Sequence, residues 1–171
     1  MNKQLIATIC ILGLVGMVVG VIAQGATEDT VTATVTPGVV SVDVTPATFD
    51  YGYMTLNTSK TSHEAGQTSG ITANVGTVNT DLNIRGANAL GDPTGTWTLA
   101  GSTGSDIYVH EFGAGADPGS WTALTTSNAT LTIGVTPSGS YIFGLRITTP
   151  TASTVVDEYS APVTVVASWG G

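Results

Sequence analysis

From Thr30 onward the chain alternates apolar and hydroxyl-bearing residues with a period of two. Val31, Ala33 and Val35 interleave with Thr30, Thr32, Thr34 and Thr36, and Val40, Val42 and Val44 interleave with Ser41, Asp43 and Thr45. Successive side chains of a strand point to opposite faces, so this alternation predicts half-buried strands. Pro37-Gly38 and Pro46 close the two segments, because proline has no N–H for a ladder. The exit Val-Thr-Pro recurs at Val135-Thr136-Pro137, as punctuation and not as a repeat unit. Further strands are expected over 49–56, 69–75, 82–85, 96–99, 107–112, 121–124, 131–135, 141–147 and 159–165.

Turn chemistry fills the gaps: Asp92-Pro93-Thr94-Gly95, Asp117-Pro118-Gly119 and Ser138-Gly139 are all turn formers. No window beyond residue 24 carries a helix-period apolar stripe with caps. Short strands at near-regular spacing predict an all-β fold, an immunoglobulin-like antiparallel β-sandwich. The Cys…Trp…Cys spacing of antibody domains is missing, which argues against that domain type and not against the architecture.

The N-terminus has a different pattern. Met1-Asn2-Lys3 is a short positive stretch, and residues 5–23 are apolar apart from Thr8, Gly13, Gly16 and Gly20. Small residues at Val21-Ile22-Ala23 precede a polar run, Gln24 to Asp29. This predicts a hydrophobic signal helix over residues 1–23, cleaved after Ala23. A retained anchor is the alternative, since the run is about long enough to span a bilayer. Residues 24–171 then form one β-sandwich domain. Cys10 lies in the signal core, where Ile9 stands in place of the small residue a lipobox needs, so the mature chain has no disulfide framework.

Composition narrows the partners. Beyond the signal segment only Lys60, Arg85 and Arg146 oppose 12 acidic residues. A surface this acidic repels nucleic acid and anionic headgroups, leaving the signal segment, if uncleaved, as the only membrane contact. The abundance of threonine suits strands whose outer face is solvated by hydroxyls.

Side-chain chemistry is sparse. His63 and His110 are each followed by Glu, but neither pair continues into the two-histidine helical spacing of a zinc protease. They face water or a hydroxyl, or meet with Glu64 and Glu111 at a metal. Asp106 and Glu111 flank one strand as the candidate carboxylate pair of a glycosidase. No G-x-S-x-G elbow is present. Asp92, Asp106 and Asp117 lie in Gly-rich loops able to offer oxygen ligands to calcium, without a D-x-D-x-D-G pattern. No other cofactor is expected, and the chain reads as non-enzymatic.

Trp97 and Trp121 are expected in the core, while Tyr51, Tyr53, Tyr108 and Trp169 are candidates for an aromatic ligand face. Asn57-Thr58-Ser59 and Asn128-Ala129-Thr130 are glycosylation sequons. Residues 30–36 admit two destinations. Val31, Ala33 and Val35 either form the domain's own first strand or enter a neighbouring subunit as a swapped strand, and repeated head-to-tail the second contact builds a fibre.

The stretch from Thr30 to Val165 resembles uncharacterised secreted surface proteins of uncultivated bacteria. The likeness is carried by residues 79–86 (NTDLNIRG), 97–100 (WTLA), 108–112 (YVHEF), 121–127 (WTALTTS) and 147–150 (ITTP). It implies export and an immunoglobulin-like β fold, with no activity attached. The expected function is a structural protein of the cell surface or extracellular space, a filament or coat subunit joined to its own kind or to other surface components by strand addition. A carbohydrate- or calcium-dependent binding module is the alternative.

Overall fold

The computed structural model of the chain describes residues 32–92 and 94–171. The signal helix expected over residues 1–23, and Val31, lie outside the described residues. The chain divides into two units, Met1–Thr36 and Pro37–Gly171. Within the first, residues 32–36 are exposed and carry no strand. The strand expected over 30–36 is therefore not formed where it is described.

The second unit is all-β, with no helix among the described residues. Its strands are β1 (Val42–Thr45), β2 (Ser59–Thr61), β3 (Ile71–Val75), β4 (Thr80–Gly86), β5 (Ala89–Asp92), β6 (Thr96–Leu99), β7 (Ile107–Ala114), β8 (Thr122–Ala123), β9 (Ala129–Val135), β10 (Ser140–Thr148), β11 (Glu158–Ser160) and β12 (Val163–Trp169). They form two sheets. The larger runs β1-β3-β10-β7-β6-β5-β11, with β2 beside β10 and β8 beside β7. The smaller is β12-β4-β9. Every pairing is antiparallel except β6 with β7, which makes the larger sheet mixed.

Period-two patterning decides what is buried. In β4, Leu82 and Ile84 are wholly buried, alternating with Asp81, Asn83 and Arg85. Ile71 and Ala73 of β3, Phe143, Leu145 and Ile147 of β10, and Leu131 and Val135 of β9 face the same interior. Both sheets thus share one hydrophobic core. A one-residue slip in any of these strands would turn its apolar set to solvent, so burial fixes the register.

Two expected strands are corrected. Residues 49–56 form a loop: the Asp50 carboxylate accepts the Gly52 N–H at 2.7 Å, and Gly52 takes φ +71°. This Asx turn breaks the extended run, yet Phe49, Tyr51 and Met54 still pack on the core. The run 159–165 splits into β11 and β12, because Pro162 cannot donate to a ladder. There the chain leaves the larger sheet, where β11 pairs with β5, for the smaller, where β12 pairs with β4. The partner segment turns the same corner at Gly86. A Cβ there would come within 2.6 Å of Leu99 Cδ2, so any larger residue would displace the Leu99 side chain.

The outer face of the central β7–β10 pair is also covered. Gly113 and Gly144 are cross-strand partners, and Pro118 of the following loop sits on both. Beside them Arg146 pairs with Glu111 at 2.6 Å and lies 5.0 Å over the Trp121 ring. Trp121 thus sits outside the core cluster, contrary to expectation. Trp97 packs against that cluster, half-buried.

Candidate functional site

Strand alternation separates the His-Glu pair of β7. His110 faces the core between Tyr108 and Phe112 and is only 2 % exposed, whereas Glu111 points outward to Arg146. His110 Nε2 lies 3.2 Å from the Tyr51 hydroxyl, and Nδ1 is buried with no hydrogen-bond partner. Burial disfavours the imidazolium and pushes the His110 pKa down to about 4. Burial also lifts the Tyr51 and Tyr108 phenols above their ordinary range, so all three groups are neutral at pH 7. The ring packs against two tyrosines.

His63 occupies the turn after β2, where its carbonyl accepts the Gly66 N–H at 3.0 Å. Neighbouring Glu64 accepts the Thr61 N–H at 2.8 Å and the Thr61 hydroxyl at 3.0 Å. Those two bonds, the backbone one foremost, hold its carboxyl below the usual carboxylate range. Both glutamates are therefore engaged by other groups, Glu64 by Thr61 and Glu111 by Arg146.

The candidate calcium ligands are dispersed. Asp106, at φ +53°, accepts the Thr154 N–H at 2.8 Å and the Ser153 hydroxyl at 3.1 Å. The Thr154 bond chiefly keeps its carboxyl below the ordinary range. Asp92 stands opposite Glu158 in the β5–β11 pair, and Asp117 is exposed in the loop over Gly113 and Gly144. Among the described residues no three His, Cys, Asp or Glu side chains form a group suited to a metal ion.

The proposed aromatic face is corrected at Tyr108, which is fully buried and donates its hydroxyl to the Ala87 carbonyl at 2.5 Å. Tyr51 is half-buried and edge-on to Phe49 at 4.8 Å. Tyr53 stands fully exposed in the loop before β2, and Trp169 is 71 % exposed at the end of β12. The sequons place Asn57 and Asn128 on the surface.

One concavity was not foreseen. Trp97 stacks on Tyr159 at 3.8 Å and donates its indole N–H to Ser153 at 2.9 Å. With Met54, Leu56, Val155, Val156 and Asp157 it lines a groove of about 130 Å³. Ligand pockets usually measure about 300 Å³ or more, so this one is small for an organic molecule. No local pattern marks residues 153–157, which are held at the groove by the bonds of Ser153 and Thr154 to Trp97 and Asp106 and by the pairing of β11 with β5.

What the fold leaves accessible is backbone. Val35 is 86 % exposed in a segment without a strand, and β12 has one neighbour, β4, leaving its other edge without a ladder partner among the described residues. The chain matches no family model, no curated protein and no solved structure.

Proposed function

We propose that the protein is a non-enzymatic, secreted structural component of the cell surface. In this proposal it is an immunoglobulin-like β-sandwich subunit of an extracellular filament or coat, assembled by β-strand addition. One observation carries the proposal. Residues 32–36 continue a clean period-two pattern, yet they are exposed and without a strand where described, with Val35 almost fully accessible. A segment patterned for a half-buried strand that lacks a sheet is suited to completing another molecule's sheet. Ladder bonds then give affinity, and alternate side chains give specificity. Because donor and acceptor are different surfaces, the contact does not close on itself and propagates as a fibre.

The test is assembly of the exported full chain at rising concentration, followed by sedimentation and electron microscopy, beside a variant lacking residues 24–37. Polymer from the full chain and monomer from the variant is the expected result. A full chain that stays monomeric at high concentration refutes the proposal.

A further inference from the structure

We infer that the outer edge of β12 is the acceptor for the leading strand of a second copy of this chain, an assignment that rests on the filament reading above. The exposed strand edges differ in how they are guarded. Natural sheets blunt their edges with short strands, charge, proline and bulges. β1 is four residues long and is closed by Pro46. β11 is three residues long and starts with Glu158. β9 is irregular: its register against β4 shifts twice, and Gly134, at φ +67°, donates its N–H to the Asp81 carboxylate at 2.8 Å. β2 and β8 are short, and β2 carries Lys60. Among the described residues only β12 is long, regular and free of charge, proline and bulge within its span, with Pro162 standing just ahead of it. It runs seven residues, Val-Thr-Val-Val-Ala-Ser-Trp, in unbroken register with β4.

Its free hydrogen-bonding groups follow from the ladder. Ala87 donates to the Pro162 carbonyl at 3.2 Å, and Gly170 donates to the Asn79 carbonyl at 2.9 Å. Both pairs lie in the same register as the strand between them, so the even-numbered residues of β12 bond β4. Val163, Val165, Ala167 and Trp169 therefore direct their N–H and C=O groups away from β4. The side chains of Val163, Val165 and Ala167 pack on the core but stay only partly buried, unlike Leu82 and Ile84 beside them. β1 of the facing sheet approaches β12 and adds Val42 and Val44 to the same core, but it forms no ladder with β12.

The donor fits it. Val31, Ala33 and Val35 repeat at the spacing of Val163, Val165 and Ala167, and the period-two run Thr30 to Thr36 matches the seven residues of β12. Neither strand carries an ionisable side chain. Copies of a chain with net charge −8 repel, so contact is least opposed where both surfaces are neutral.

Ala167→Pro in the full chain tests this, since it removes an outward N–H and leaves the bonds to β4 intact. A folded variant that no longer forms sedimenting polymer supports the inference, and one that assembles like the parent overturns it. Amide exchange on the parent chain decides independently, should the proline variant misfold. In polymer, residues 163–169 exchange about tenfold or more slowly than in dilute monomer, because the new ladder must open first. Polymer in which residues 30–36 gain protection while residues 163–169 do not sinks the β12 assignment and spares the filament. A chain that never assembles sinks both.

Discussion

His110 gives the folded unit a built-in sensitivity to acid. Its ring is buried against Tyr51 and Tyr108, no carboxylate partners it, and its pKa falls from 6.5 to about 4. The unfolded chain, with His110 exposed, therefore binds a proton between those values that the folded chain does not. Stability tied to a depressed pKa is present above the unfolded value and is lost as pH falls toward the folded one. A gap of about 2.5 units at about 1.36 kcal/mol each sets a ceiling near 3 kcal/mol, of which about 2 kcal/mol is lost by pH 5. For a unit of this size that lowers Tm by roughly 4–8 °C. The assay is thermal or urea unfolding at pH 8, 6 and 5, for the parent and for the double variant Tyr51→Phe, His110→Phe. Replacing both partners of a buried hydrogen bond with apolar groups of similar shape costs little. The double variant should thus fold and lose most of the slope between pH 6.5 and 5. Parallel loss of stability in both proteins over that window would refute the assignment of the slope to His110.

Two further predictions concern packing. Leu82→Ala, at a fully buried β4 position, should cost about 2–5 kcal/mol in urea unfolding, because little of the cavity can collapse between two sheets. Gly144→Ala places a Cβ 2.6 Å from Pro118 Cδ and should cost roughly 1–3 kcal/mol, whereas Gly119→Ala, with nothing within 4 Å, should be near neutral by the same measurement.

Strands β3, β4, β6, β7, β9 and β10 were legible as alternating runs, because which face of a strand is buried is a local property of period two. β2 was not legible: Ser-Lys-Thr has no apolar alternation, and it becomes a strand only because β10 offers it an edge. β5 was hidden similarly, with Ala89 its one fully buried side chain and Leu90 exposed. At the candidate site, the period-two character of Val31, Ala33 and Val35 was plain from sequence, and the destination of that strand was not. Burial of Tyr108 was equally hidden, since it sits in an apolar strand and only the opposing sheet distinguishes core from rim.

By itself, then, the sequence determined the all-β class, the approximate limits of most strands and the inward face of the regular ones, from alternation and from prolines that end ladders. The irregular register of β9, by contrast, leaves Ile133 exposed within an alternating run. Only the tertiary structure decided which strands are neighbours, that the chain changes sheets at Pro162, and that β12 keeps a regular edge without a partner among the described residues. The reason is physical. A side chain's face depends on its own backbone geometry, whereas a strand's neighbour depends on contacts between residues far apart in the chain, which no local pattern encodes.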